Sequence, residues 1–331
     1  MTSLYVAGGR QKPGSTTTVP EWHQYGAGVV LRVQPDNGTI DCCVEYVTPP
    51  DRCAFDDDPS ILFKSGTLVG ESLYVPTQTE VMVFDITSFG RTGYVSLPCF
   101  NDVHHVTPGK DGKLLVTNTG LDMVVETTLN GKVCREWSVI GEELWTRFSR
   151  ATDYRKVVTT KPHRSHPNHV FMVGGEIWVT RCDQGDALCL TREQRPIQLA
   201  NQQVHDGHVH ENRIYFTTVS GQVILVDAVS KQVLRRYDLN SISDRKMPLG
   251  WCRGMAVLED DCIVVGFSRL RRTKWKRNLR WIKHRLGGDG TGLLPTRLEM
   301  FDLKRGKRAW EIDLENAGLN AVFSVHAKEG Y

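Results

Sequence analysis

The chain has 331 residues, 40% of them hydrophobic and 24% charged, with a formal net charge of +3. This is the composition of an ordinary globular domain, and so small a charge is no footprint of nucleic acid. No apolar stretch approaches the ~20 residues that span a bilayer. The N-terminus shows no basic segment followed by an apolar run, so no secretory signal is read there and a cytoplasmic location is expected. The nine cysteines are odd in number, include no CxxC pair and fall mostly in strand-like runs, which reads as free thiols rather than disulfides.

In chain order, the sequence repeats one strand–turn–strand phrase. It opens on a lone strand, Ser3–Ala7, and a hairpin from Gly28 to Val47. The phrase then begins afresh near Gly66, His105, His169, His208 and Gly254, and for the last time near Ala321. After each start comes a second strand pair rich in Val, Ile, Leu, Phe and Tyr, with turns such as Asn130-Gly131. Four strands per unit with tight hairpins describe a propeller blade, and a repeat sets the architecture before any local reading does. The expected fold is all-β: a six-bladed β-propeller spanning 1–331 as one domain. Its last blade takes the inner strand, Leu319–His326, from the C-terminus and its other strands from the N-terminus.

The intervals from His105 to His169 and from Gly254 to Ala321 are the longest. Their surplus falls at 141–165 and 269–293. Both insertions, with the loops 10–26 and 48–60, belong to the loop classes that emerge where inner strands begin, so one face is elaborated. The first insertion has helix-forming composition, with Leu144, Trp145 and Phe148 at helical spacing. The second carries Trp275, Leu279, Ile282 and Leu286 on one stripe of an expected basic helix, 269–286. For that helix a membrane surface, a protein and an anionic ligand stay open as partners, and nucleic acid is not expected.

Function concentrates on elaborated loops held by a rigid scaffold. His105, His169 and His208 align at the same place in successive repeats and converge on the ring axis. Three neutral imidazoles suit a divalent transition metal (iron, zinc, copper or manganese) and leave coordination positions open for water or substrate. Asp102, His166 and His205 lie three residues earlier in the same repeats, with Asp206 and Arg253 close by. These five are the expected catalytic set, placed to orient ligands or move protons.

The repeated phrases resemble six-bladed propellers of the broad NHL, gluconolactonase (SMP-30) and strictosidine synthase-like assemblage, and the resemblance spans nearly the whole chain. It implies the propeller fold. In the gluconolactonase-like members it also implies a divalent ion at the axis, held there by carboxylates and amides where this chain offers histidines. The expected function is a metal-dependent enzyme acting on a small organic molecule at the axial mouth, with an anionic substrate among the possibilities. Hydrolase, lyase and oxidoreductase chemistry all stay open. The other reading is a noncatalytic propeller that binds a protein or an anionic ligand through the basic helix.

Overall fold

The computed structural model describes residues 2–14, 19–245, 247–259, 261–270 and 294–328. It is a ring of six four-stranded antiparallel sheets. Chain order runs round the ring. The first complete blade holds β4 (Thr67–Val69), β5 (Ser72–Pro76), β6 (Val81–Asp85) and β7 (Arg91–Val95). The second holds β8 (Val103–Pro108), β9 (Lys113–Asn118), β10 (Met123–Thr128) and β11 (Val133–Ser138). The third holds β12 (Pro167–Val173), β13 (Glu176–Arg181), β14 (Asp186–Cys189) and the short β15 (Ile197–Gln198). The fourth holds β16 (Val204–His210), β17 (Arg213–Thr218), β18 (Gln222–Asp227) and β19 (Val233–Asp238). The fifth holds β20 (Trp251–Glu259), β21 (Cys262–Ser268), β22 (Arg297–Asp302) and β23 (Lys307–Asp313).

The sixth blade is composite, as the sequence predicts. Its order is β24 (Ala321–Lys328), β1 (Ser3–Gln11), β2 (Tyr25–Gln34), β3 (Thr39–Tyr46). Ser3 pairs with Lys328 and Gly9 with Ala321, so the C-terminal strand is the innermost. Each inner strand packs on the next: β4 on β8, β8 on β12, β12 on β16, β16 on β20, β20 on β24, and β24 on β4. The ring is thereby closed.

Strand alternation explains why the blades need one another. Along β18, Ile224 and Val226 face the third blade, while Val223 and Leu225 face the fifth. Along β1, Leu4 and Val6 face the fifth blade, and Tyr5 and Ala7 face the first. The period of two thus gives each sheet two apolar faces, each buried only against a neighbour. One buried cluster fills each of the six interfaces.

One interface also has a polar bolt. Glu80 is fully buried and accepts four hydrogen bonds: from Tyr46 Oη (2.8 Å) and Tyr94 Oη (2.9 Å) on Oε1, and from Thr48 Oγ1 (2.7 Å) and Thr77 Oγ1 (3.1 Å) on Oε2. Tyr46 and Thr48 belong to the composite blade, so the carboxylate ties it to the first. Burial, together with the Glu80 charge, pushes the Tyr94 phenol up to about 12 and keeps it a donor. Glu80→Ala leaves these donors without an acceptor and is expected to cost about 3–5 kcal/mol. Glu80→Gln, which keeps an acceptor oxygen, should cost less. Urea unfolding midpoints of the two variants check this, and equal midpoints for Glu80→Ala and the parent chain would refute it.

The first insertion departs from its expected form. It carries only a 3-10 turn, Tyr154–Lys156, and no α-helix. Leu144, Trp145 and Phe148 do pack together on the core beside Tyr154, but through turns, with Trp145 in the left-handed region at φ 71°. Trp145 Nε1 donates to Glu136 Oε2 (3.1 Å) and Arg150 lies over the indole at 4.4 Å. Tertiary partners outweigh the local helical pattern here. The basic helix expected at 269–286 lies outside the described residues, apart from Arg269 and Leu270. All nine cysteines are free thiols. Among the described residues no helix is long and apolar enough to cross a membrane.

Candidate active site

A recurring irregularity aims side chains at the axis. The pairing register of β8 with β9 shifts between Val103 and His105, that of β12 with β13 between Pro167 and His169, and that of β16 with β17 between His205 and His208. β20 shifts likewise between Cys252 and Met255. A bulge gives the inner strand an extra residue and re-aims its side chain. The extra residues include His104, Asn168, Asp206 and Arg253. The residues that lead into the first two of these bulges, Asp102 (φ 47°) and His166 (φ 57°), are held in the left-handed region, as is Asp206 (φ 63°) within its own bulge. Such backbone is costly for a non-glycine residue and clusters at functional sites. In the fifth blade Gly254 takes this conformation (φ 77°), and a Cβ there would come within 2.9 Å of Ser324 Cα on β24.

Below the mouth, the aligned histidines meet at the axis as expected. They meet as a stack. The rings of His105 and His169 lie 3.6 Å apart, with 24° between their planes, and His208 meets His169 edge-on at 5.1 Å. Imidazole lone pairs lie in the ring plane, so stacked rings do not direct them to one point. His105 is also engaged on both nitrogens: Nδ1 accepts from Val170 N–H (3.2 Å) and Nε2 lies 3.2 Å from Thr67 Oγ1. Among the described residues no group of three or more His, Cys, Asp or Glu is arranged to hold a metal ion. As they stand, His105, His169 and His208 do not fit a shared metal, and no step is drawn through one. His326 on β24 bears electrostatically on His105 and His169, and its Nε2 lies 3.0 Å from Ser324 Oγ. Burial depresses His105 and His169 well below the ordinary imidazole range and His326 to about 3, and keeps these three neutral.

Above the stack, at the mouth, opens a cavity of about 600 Å³. Its floor and walls include four of the five expected catalytic residues: Asp102, His166, His205 and Arg253. The fifth, Asp206, does not line it. Asp206 sits lower, accepting from the Thr217 hydroxyl on its carboxylate and from Thr180 Oγ1 (2.6 Å) on its carbonyl, with His208 Nε2 3.5 Å away. Its bonds hold the bulge in place.

The centre of the cavity is an ion cluster of which the sequence pattern marks only Asp102. Lys64 Nζ lies 3.0 Å from Asp102 Oδ1 and 3.1 Å from His104 Nε2, and His104 Nε2 is 3.2 Å from the same carboxylate oxygen. Burial alone would raise the Asp102 carboxyl, but Lys64 and His104 hold it well below the usual carboxylate range. Burial lowers Lys64, and it lowers His104 to about 3, with Lys64 adding to the effect on His104. The imidazole is therefore neutral beside the Lys64–Asp102 pair.

The first insertion supplies the next residues. Asp122 is buried at the second blade and accepts the backbone N–H of Arg164 (3.0 Å), Ser165 (2.9 Å) and His166 (3.2 Å), while Arg147 pairs with it at 2.7 Å. This anchor places His163 and His166 on the cavity wall. Their Nδ1 atoms are 3.1 Å apart, and His163 Nε2 lies 3.9 Å from Asp102 Oδ2. Burial lowers both imidazoles below their ordinary range, so both are neutral near pH 7. Across the mouth Lys161 lies over the Trp22 ring at 5.6 Å, joining the insertion to the N-terminal loop. The elaborated face is thus the face of the cavity. His163 went unmarked in the sequence because it falls outside the repeat, and Lys64 because its repeat begins on Gly66 and carries no histidine. The nearest signal for either was the insertion length.

A six-bladed propeller with a polar axial cleft is the class this geometry defines. Many solved structures match this architecture, two of them over almost the whole chain. A protein of unknown function from Bacteroides caccae superposes with a TM-score of 0.64 at 12% identity, covering 99% of each chain. A streptogramin B lyase superposes with a TM-score of 0.52 at 11% identity, covering 99% of this chain and 93% of that one. At these identities the likeness is one of fold, and it agrees with the six-bladed assemblage that the repeats resemble. No family profile matches the sequence, and no curated protein matches it.

Proposed function

We propose that the chain is an enzyme that acts on a small organic molecule in the axial cavity, by proton transfer through His166, His163 and Asp102. The observation that carries this reading is the chain of contacts from His166 Nδ1 to His163 Nδ1 (3.1 Å) and from His163 Nε2 to Asp102 Oδ2 (3.9 Å). Two facing Nδ1 atoms share one proton. The Asp102 charge favours the His163 tautomer with its proton on Nε2. His163 Nδ1 then accepts from His166 Nδ1–H, which leaves the lone pair of His166 on Nε2. The tautomer assignment rests on the Nδ1–Nδ1 hydrogen bond and on the charge of Asp102, which at 3.9 Å acts on His163 Nε2 without a hydrogen bond. A neutral imidazole with its lone pair free is a general base, and the Asp102 carboxylate beyond His163 stabilises the positive charge that the two imidazoles take up. Lys64 holds Asp102 ionised and in place.

A lyase among the chains of this fold supports an enzyme reading at the level of the scaffold. The test uses the full chain with an extract of small metabolites, followed by mass spectrometry. The parent protein is expected to consume particular species. Asp102→Asn and His163→Ala, shown to be folded by circular dichroism, should slow that consumption about 100-fold or more. An unchanged extract after incubation with the parent chain, or full turnover by both variants, would sink the proposal. Metal analysis of the purified, untagged protein adds a separate arm. Stoichiometric transition metal lost on His169→Ala would return the chemistry to the axial stack.

A further inference from the structure

We propose that the cavity takes a small organic carboxylic acid, its carboxylate bridging Arg253 Nη2 and His205 Nε2, its apolar body against the indoles of Trp22 and Trp251. This names a substrate class and rests on the cavity being the functional site. The first observation is a pair of donors that face each other. Asn168 Nδ2 lies 2.7 Å from the Val204 carbonyl oxygen and 2.6 Å from His205 Nδ1. The carbonyl accepts only, so this atom of Asn168 is the amide nitrogen, and His205 Nδ1 must accept from it. The His205 proton therefore sits on Nε2. Arg253 Nη2 lies 3.4 Å from that nitrogen. A guanidinium has no acceptor, so two N–H groups converge at this point on the cavity floor. An acceptor placed between them can accept from both.

The second observation is the charge of Arg253. Among the described residues no carboxylate stands at ion-pairing distance from it, and Glu21, Asp206 and Asp102 act on it only at longer range. Its Nε is buried without a hydrogen-bond partner. The guanidinium lies over the Phe323 ring at 4.5 Å, so its N–H edge is what remains to meet a ligand. A half-buried cation without a counter-ion is costly, and an anionic ligand offsets that cost. Lys64 is already paired with Asp102, and Lys161 is drawn to Trp22. On the cavity floor that leaves one guanidinium to neutralise a ligand, with the exposed Lys161 held out at the mouth, and this fits a monoanion better than a phosphate dianion. Two edge donors match the planar fork of a carboxylate. Trp22, Trp251, Tyr25, Leu62 and Val158 line the same cavity and offer apolar surface to the rest of the molecule.

Calorimetric titration of the full chain tests this with three probes of one shape: phenylacetate, neutral 2-phenylethanol and phenyl phosphate. Phenylacetate is expected to bind about tenfold or more tightly than the alcohol. Arg253→Leu should weaken phenylacetate about 10- to 100-fold and leave the alcohol unchanged, since one charge-assisted hydrogen bond is lost. Arg253→Lys should recover part of the loss, and Trp251→Ala should weaken acid and alcohol alike. Equal affinity for acid and alcohol, preference for the phosphate, no binding of the acid at about 10 mM, or full affinity in Arg253→Leu would each overturn the assignment. Should these binding results fail while turnover still depends on Asp102 and His163, the substrate class falls and the enzyme reading stands.

Discussion

Below pH 6 the protein is expected to lose stability steeply, and to unfold cooperatively near pH 5 to 5.5. Four imidazoles carry most of this result: His104, His105, His169 and His326, each less than a tenth exposed, with the half-buried His163 and His166 adding to it. Burial lowers every one of them, His104 and His326 to about 3 and the other two well below the ordinary value of 6.5. The sign follows from proton counting. Between pH 6.5 and the folded values, the unfolded chain binds protons that the folded chain does not. Stability is then fully present above pH 6.5 and falls as the pH drops. Each group contributes about 1.4 kcal/mol per pH unit, so four remove about 5–6 kcal/mol by pH 5.5. That is comparable to the whole stability of a typical domain. Asp102 does not offset the loss in this window, because its contribution disappears only as the pH falls below the ordinary carboxylate range. Denaturant unfolding from pH 7.5 to 5 measures the slope, and His326→Gln should flatten it by one group's share, about 1.4 kcal/mol per pH unit. Constant stability from pH 7 to pH 5 would mean that the axial histidines are not buried and neutral as described.

The same histidines show how far the sequence reaches. Their common place in the repeat fixes their height on the axis, because each inner strand enters the ring in the same way. It does not fix the rotation of a ring about its side-chain bonds. His105 is turned by Val170 N–H from the next blade and by Thr67 from the blade before, and both contacts form only when the blades pack. Three aligned imidazoles therefore stack, where the pattern alone suggested ligands. His104 was legible only as a neighbour of His105. The bulge between Val103 and His105 turns it toward the cavity, and no period-two reading anticipates a bulge. Lys64 and His163 come from segments that the repeat does not index, the approach to β4 and an insertion pinned by Asp122. The fold was legible because thousands of alternative topologies collapse to one once a unit with two apolar faces repeats. The site was legible to the extent that it is built on that repeat, as with Asp102, His166, His205 and Arg253.

Removing the closing strand should be the most damaging single change to the chain. Deleting 319–331 takes away Leu319, Val322, Phe323 and Val325, each 4% exposed or less, from the contacts of β24 with β1, β4, β20 and β21. At about 1.5–3 kcal/mol for each large apolar side chain, the loss is roughly 6–12 kcal/mol, which meets or exceeds the stability of most domains. It also leaves β1 as an open edge beside the axis, a template for aggregation. The truncated chain is expected to be insoluble or unfolded by circular dichroism and calorimetry. Loss of the strand can be told apart from a mere change of chain ends by permutation. Ser3 pairs with Lys328, so passing directly from Tyr331 to Met1 asks the chain only to turn a hairpin. The new ends can open at Lys304–Arg305, an exposed turn between β22 and β23. This permutant keeps every strand and should fold within about 1–2 kcal/mol of the parent, because opening one exposed turn while closing another changes only loop entropy. A truncated chain that melts like the parent would show that the ring does not depend on β24. A permutant that fails to fold would contradict the register that sets the two chain ends side by side.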